Sequence, residues 1–111
     1  MRPDDVIRLR HMLDAAREAM SFAAGRSRGD LERDRMLVLA IVKDVEIIGE
    51  AAARVSPAMQ ASHPEIPWAQ IIATRNRLIH AYFDVDLQVV WDTVTDDVPQ
   101  LVRLLEPFVP S

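Results

Sequence analysis

The sequence predicts an all-α fold, a compact bundle of four or five helices joined by short connections. Half of the 111 residues are apolar, and only three are glycine. The β-branched residues fall at spacings of three and four, which is typical of helices, rather than in the strict alternation of strands. A chain of this length can bury about two thirds of the surface it exposes when unfolded, so we expect one domain over residues 1–111.

The first helix is predicted from about Pro3 to Ala24. Its apolar residues step by three and four along one face, and they are Val6, Leu9, Leu13, Ala16, Met20 and Ala23. Gly25 suits the end of this helix. Either Ser27 or Asp30 is suited to cap the helix that follows.

The second helix is predicted from about Leu31 to Val55. Its apolar run from Met36 to Val42 covers all sides for nearly two turns, which indicates a central helix that contacts neighbours on more than one face. Asp34 and Asp44 interrupt this apolar pattern. The favoured interpretation of both carboxylates is that they are exposed or paired along the helix.

Proline and aspartate residues set the remaining boundaries. Ser56 is a predicted N-cap followed by proline at the first helical position. A third helix is predicted from Pro67 to about Ala81, and Asp86 is suited to cap the last helical region. That region is expected to break near Asp97-Val98-Pro99 and to resume through Leu105.

Several kinds of site are excluded by composition. The chain has no cysteine, which removes disulfides and thiolate metal sites and suits a reducing cytoplasm. The three histidines, His11, His63 and His80, lack metal-binding spacing, and no glycine-rich phosphate loop is present. No apolar run is long enough to cross a bilayer. We therefore expect a cytoplasmic protein with no metal, no cofactor and no membrane partner.

The net charge of −4 by itself argues against a nucleic-acid partner, but its distribution is uneven. From Asp84 onward six acidic residues face one base, Arg103. Twelve of the thirteen basic residues precede that point, and all of those except Lys43 are arginine. A locally basic surface that binds phosphate is therefore compatible with an acidic chain, although ordinary solvated helix faces explain the charges equally simply.

The segment TRNRLIHAYF, residues 74–83, has the highest density of chemically useful side chains. Asn76 and His80 are four residues apart and would share one face of a continuous helix. Histidine exchanges a proton near neutral pH, and an arginine such as Arg75 stabilises negative charge on phosphate. Together these groups suffice for metal-free RNA cleavage in which the ribose 2′-hydroxyl attacks phosphorus. The simpler alternative is a histidine that closes a helix end.

A series of landmarks in this order resembles the HepT-like family of HEPN-domain toxins. The landmarks are Ile48-Gly49-Glu50-Ala51, Pro64-Glu65-Ile66-Pro67-Trp68, Arg75-Asn76-Arg77-Leu78-Ile79-His80-Ala81-Tyr82, Asp86, Trp91 and Pro99. The resemblance implies a helical bundle that dimerises through the face bearing the Arg-x4-His motif. It also implies the toxin of a toxin–antitoxin pair, with metal-independent endoribonuclease activity.

The resemblance assigns roles to individual residues. Arg75 and His80 would be catalytic, and Asn76 and Arg77 would position or bind RNA. Tyr82 would be the tyrosine that a cognate MntA-like nucleotidyltransferase antitoxin modifies with AMP. On a straight helix Arg75 and His80 lie about 140° apart, so they require a distorted helix end or a cleft between two protomers. Asp34 matches a family acid whose role stays open.

Two other interpretations remain. One is a non-catalytic helical dimer that binds a nucleotidyltransferase and its nucleotide, using Arg75 and His80 only to contact phosphate. The other is a structural bundle in which the motif merely ends a helix.

Overall fold

The computed structural model describes residues 1–81 and 84–110, and of residues 79–81 it describes the backbone alone. It confirms the all-α class. The described residues form seven α-helices, two more than the largest predicted number. They are α1 (Pro3–Ala23), α2 (Asp30–Arg33), α3 (Arg35–Ala53), α4 (Pro57–Ser62), α5 (Trp68–Leu78), α6 (Leu87–Asp92) and α7 (Val98–Leu105). A π-helical segment, Thr93–Asp97, joins α6 to α7, and a 3₁₀ turn, Glu106–Phe108, follows α7.

Two short strands complete the described structure. Strands β1 (Ile79–Ala81) and β2 (Asp84–Val85) pair in antiparallel register, with Ile79 opposite Val85 and Ala81 opposite Asp84. No described helix has the length and apolar character that a membrane crossing requires.

Helix α3 lies at the centre of the bundle, as its apolar run predicts. It packs against α1, α5 and α6. The core side chains that are entirely or almost entirely buried come from the α-helices, from the π-helical segment and from the connection before α5. They include Leu9, Met12, Leu13, Ile41, Ile66, Leu78, Val90, Val94 and Leu105. Burial of these side chains supplies the main driving force for folding.

The first helix has the predicted bounds. Proline at its first position and Gly25 just beyond its end mark the two boundaries, and Gly25 adopts the left-handed conformation (φ +73°) that favours glycine. Ser56 also caps α4 as predicted, because its hydroxyl accepts a hydrogen bond from the Met59 amide at 3.2 Å. Its own amide and hydroxyl donate to the buried Asp5 carboxylate at 2.8 and 2.7 Å, which fixes α4 to α1.

The prediction of one continuous helix from Leu31 to Val55 is wrong. The chain leaves helical geometry at Asp34 (φ −126°, ψ 92°), whose carboxylate accepts a hydrogen bond from the Leu37 amide at 3.1 Å. A strong N-cap inside the apolar pattern therefore starts a new helix. Neither Ser27 nor Asp30 caps α2, because the Asp30 carboxylate instead accepts from the Ser27 amide.

Asp44 contradicts the interpretation that it is exposed or paired along its own helix. Its side chain is buried between α1 and α3, with 2% of its surface exposed. Burial first, and then the neighbouring Glu18 carboxyl, raise the pKa of Asp44 to about 7. Glu18 lies on α1, so the pairing of these two acids depends on tertiary packing.

Two boundaries near the predicted site also differ from expectation. Helix α5 ends at Leu78 rather than near Ala81, and the following residues form β1. The expected break near Asp97-Val98-Pro99 is absent, because the π-helical segment continues directly into α7 and Pro99 lies within the first turn of α7. Asp86 caps α6 as predicted, and its carboxylate accepts from the Val89 amide at 3.1 Å.

Candidate functional site

The helix that bears the predicted site is held firmly at both ends. At its start the buried Trp68 donates a hydrogen bond from Nε1 to the His63 carbonyl at 3.0 Å. At its end Leu78 is fully buried, and its carbonyl accepts from the Asp86 amide at 2.7 Å. These contacts fix α5 against the core and orient the polar residues of its last turn.

Arg75 lies on the side of α5 that faces α3, directly against Gly49. A Cβ atom placed on Gly49 would lie 3.1 Å from Arg75 Cδ and 3.5 Å from Arg75 Cβ. The absence of a side chain at this helical position therefore makes room for the arginine stem. Arg75 is half-buried, and its guanidinium makes no hydrogen bond or ion pair with any residue that the structure describes.

Asn76 and Arg77 are exposed and line a polar groove between α5 and α6. The groove has a volume of about 520 Å³, and its other lining residues are Asp86, Val89, Asp92, Thr93 and Asp97. Three carboxylates therefore stand near one arginine. The groove therefore carries more acidic than basic groups around Arg77 rather than presenting a basic surface.

The surroundings of Asp97 in this groove change the pKa of its carboxyl. Desolvation of its carboxyl and the neighbouring Asp96 raise the pKa of Asp97 above its usual value, whereas the positive charge of Arg77 acts in the opposite direction and Asp92 adds a smaller increase. The net effect favours the neutral carboxylic acid more than in water. As the pH falls, Asp97 therefore loses its negative charge earlier than an aspartate in water would.

The predicted catalytic histidine lies beyond the helix. The backbone of His80 is in β1, two residues after the end of α5. The separation of 140° around a straight helix therefore does not apply to Arg75 and His80, and Asn76 and His80 do not share a helical face. Tyr82 lies outside the described residues.

The structure thus brings some predicted site residues together and separates others. Asn76 and Arg77 share one groove, whereas Arg75 faces α3 and does not line that groove. Among the described residues, no group of three or more histidine, aspartate or glutamate side chains is placed to hold a metal ion. His11 is exposed.

Several residues that shape this region had no role predicted from the sequence. Gly49 was recognised only as part of a landmark, although a glycine inside a helical pattern often indicates close packing. Asp34, whose role was open, is a helix cap. Thr93 and Asp97 gave no signal, because their position depends on a π-helical turn that the apolar spacing does not reveal.

The fold and the site define a helical domain in which an arginine, unpaired among the residues that the structure describes, lies shortly before the end of the third long helix. A family model described as "Ribonuclease HepT-like" matches residues 12–108, so the chain belongs to the HepT-like ribonuclease family. No solved structure matches the chain.

Curated relatives agree with the family match. A probable ribonuclease HepT from Thermococcus cleftensis is 44% identical over 68 residues, which cover 61% of this chain and 62% of that protein. Putative RNase TTE0752 from Caldanaerobacter subterraneus subsp. tengcongensis is 33% identical over 95 residues, covering 86% of this chain and 85% of the relative. Putative RNase MJ1380 from Methanocaldococcus jannaschii is 30% identical over 95 residues, covering 86% and 87%.

Proposed function

We propose that this protein is a metal-independent endoribonuclease and the toxin of a toxin–antitoxin pair. Family membership and the names of the relatives support ribonuclease activity. The structural observation that carries the proposal is the placement of Arg75. Its aliphatic stem packs against Gly49, and its guanidinium is unpaired among the described residues. An arginine held in this way is ready to bind phosphate without first breaking an ion pair.

The proposed reaction needs no nucleophile from the protein. The ribose 2′-hydroxyl attacks the adjacent phosphorus, forming the O2′–P bond as the P–O5′ bond breaks. His80 serves in proton transfer to or from the reacting oxygens, and Arg75 stabilises the charge that develops on the phosphate oxygens. The products are a 2′,3′-cyclic phosphate and a 5′-hydroxyl. Asn76 and Arg77 hold the RNA beside this centre.

A homodimer completes the proposed site. Two copies bring a second Arg75 to a shared cleft, which offsets the net charge of −4 on each chain where the RNA phosphates lie. Asp86, Asp92 and Asp97 line the groove beside Arg77. Of the acidic residues from Asp84 onward, only Asp84, Asp96 and Glu106 then belong to a surface kept away from the RNA or turned towards a partner. This dimer also binds the antitoxin in a larger heteromeric complex.

Regulation is proposed to act at Tyr82. A nucleotidyltransferase antitoxin of the MntA type transfers AMP to the tyrosine hydroxyl, releasing pyrophosphate from ATP. The modification adds bulk and phosphate charge two residues from His80, so it obstructs the RNA phosphate both sterically and electrostatically.

The experiment that tests the activity compares the purified protein with His80→Ala and Arg75→Ala, each incubated with RNA in excess EDTA. The parent is expected to cleave, and loss of the histidine is expected to slow cleavage by about 10²- to 10⁴-fold. Production of the parent, but not of His80→Ala, should arrest growth. If the parent binds the nucleotidyltransferase but leaves RNA intact, the non-catalytic interpretation replaces this one.

A further inference from the structure

A second, mostly apolar cavity adjoins the polar groove that contains Asn76 and Arg77. It lies between α3, α5 and α7 and has a volume of about 90 Å³, several times that of a water molecule. Thr93 and Asp97 line both spaces. The cavity and the groove are therefore neighbouring parts of one depression along α5.

The shared wall is the π-helical segment Thr93–Asp97. A π-turn contains one more residue than the corresponding α-turn, and such turns occur frequently at functional sites. Here the segment begins with the buried Thr93 and ends with Asp97, and both residues reach the cavity and the groove. The π-helical turn therefore forms the wall between the apolar cavity and the polar groove.

The cavity combines apolar walls with free amide groups. Its apolar lining includes Ile48, Ile71 and Leu104, which come from three different helices. Gln70 and Gln100 are exposed residues of the same lining. Neither glutamine side chain hydrogen-bonds to a residue that the structure describes.

We propose that this cavity is a subsite for one nucleobase of the RNA, with Gln70 and Gln100 reading the edge of that base. The inference rests on the proposed ribonuclease activity and names a determinant of its sequence preference. A nucleobase has two apolar faces and an edge of hydrogen-bond donors and acceptors. The aliphatic side chains match the faces, and the two carboxamides, each with a donor and an acceptor, match the edge.

The position of the cavity relative to the arginines supports this occupant. Gln70 and Arg77 are seven residues apart on α5 and therefore lie on the same side of the helix. A nucleotide whose base enters the cavity leaves its backbone in the groove on the other side of Thr93 and Asp97. Asn76 and Arg77 line that groove. Sequence-specific RNA recognition commonly uses such splayed bases from single strands.

The test uses short single-stranded RNAs that differ only in the nucleotides on either side of one cleavage site. We expect the parent to prefer one base at one position by about 5- to 150-fold in kcat/KM, the range of one good base contact. The double variant Gln70→Ala/Gln100→Ala should lose most of this preference, with the rates on the good and poor substrates becoming similar. Gln88→Ala, an exposed glutamine outside the cavity, is the matched control.

Binding provides a readout that does not depend on cleavage. The same oligonucleotides carrying 2′-O-methyl groups cannot be cleaved by 2′-hydroxyl attack, and their affinities are measured by fluorescence anisotropy. The base preference in binding should disappear in the glutamine double variant. Ile71→Phe, which fills the cavity, should weaken binding of the preferred oligonucleotide at least tenfold while leaving the melting temperature and the oligomeric mass unchanged.

The outcomes separate the two proposals. If the parent cleaves RNA but the glutamine double variant keeps its preference, the subsite is wrong and the ribonuclease stands. If the parent does not cleave, the ribonuclease is wrong, and base-dependent binding that is lost in the double variant still supports the subsite. If no base preference exists in cleavage or binding, or if Ile71→Phe changes the oligomeric mass, the cavity is not a base subsite.

Discussion

Gly49 and Arg75 pack so closely that a Cβ atom on the glycine would lie 3.1 Å from Arg75 Cδ. Few real Cβ contacts are this short, so a side chain at this position requires the arginine stem to move by a few tenths of an ångström. Gly49 lies in the middle of α3, where glycine is unfavourable relative to alanine. We infer that glycine at this position serves to place the arginine.

Gly49→Ala therefore should affect stability and activity in opposite directions. Alanine favours the helix by about 1 kcal/mol, so the free energy of unfolding should rise or stay unchanged. RNA cleavage should fall, by about tenfold, because a small displacement of a positioned charge weakens its contact with the transition state. Urea unfolding and single-turnover cleavage measure the two effects.

Gly29→Ala is the matched control for that substitution. A Cβ on Gly29 meets only the flexible end of the Arg33 side chain, at 3.3 Å. Its cleavage rate should equal that of the parent. If Gly49→Ala cleaves as fast as Gly29→Ala, Gly49 does not position Arg75.

The buried Asp44 should make stability depend on pH. The pKa of Asp44 is raised to about 7 in the folded protein, against 3.8 for an unperturbed aspartate. Between these values the folded state binds a proton that the unfolded state releases. The stabilisation is therefore complete below about pH 4, is lost as the pH rises towards 7, and changes no further above that pH.

Asp44→Asn removes this proton while keeping the shape of the side chain. Urea unfolding from pH 5 to pH 8 should show the free energy of unfolding falling with pH in the parent and changing much less in the variant. Glu18→Gln, which removes the neighbouring carboxylate, should also reduce the slope. Equal slopes in the parent and in Asp44→Asn would contradict the assignment.

Asp5 should stabilise the protein through its contact with Ser56. Asp5→Ala removes the acceptor of two hydrogen bonds from Ser56, at 2.8 and 2.7 Å. Hydrogen bonds to a charged group contribute about 1.5–3 kcal/mol each, so we expect a loss of about 2 kcal/mol or more. Asp4→Ala, at the exposed neighbouring position, should have little effect in the same urea titration.

The sign of the pH effect at Asp5 is opposite to that at Asp44. The hydrogen bonds from the Ser56 amide and then its hydroxyl lower the pKa of Asp5 below 3.8. The stabilisation is present above the unfolded pKa and is lost as the pH falls through the lower folded value. Acid unfolding should therefore begin at a higher pH in Asp5→Asn than in the parent.

Tyr82 offers an unambiguous test of the proposed regulation, because it is the only tyrosine in the chain. After co-production with the proposed MntA-like nucleotidyltransferase, intact-protein mass spectrometry should show additions in steps of one AMP. Tyr82→Phe should remain unmodified and should stay toxic in the presence of the antitoxin. An unmodified parent, or a modified Tyr82→Phe, would exclude this tyrosine as the target.

Local signals in the sequence predicted most of the helix boundaries. The apolar spacing and Gly25 predicted α1, and the caps at Ser56 and Asp86 act as expected because an N-cap depends only on residues within the same turn. The N-cap at Asp34 was not predicted. The apolar pattern continues on both sides of this residue, and it indicated one helix where the structure has two.

Features that depend on distant residues were not predictable in the same way. The end of α5 at Leu78 depends on pairing with residues 84–86, and the burial of Asp44 depends on the packing of α1 against α3. The contact of Gly49 with Arg75 joins positions 26 residues apart. The Arg-x4-His motif was recognised from the sequence, but the packing of Arg75 against α3 required the fold.

The central claim, attack by the RNA 2′-hydroxyl, is tested most directly by one substitution in the substrate. An oligonucleotide that the protein cleaves at a mapped bond is prepared again with a single 2′-deoxyribose on the 5′ side of that bond, and both are incubated with the parent protein in EDTA. We predict that cleavage at this bond disappears while other susceptible bonds are cut as before, leaving 2′,3′-cyclic phosphate and 5′-hydroxyl ends. Cleavage at the deoxy-substituted bond would contradict the mechanism.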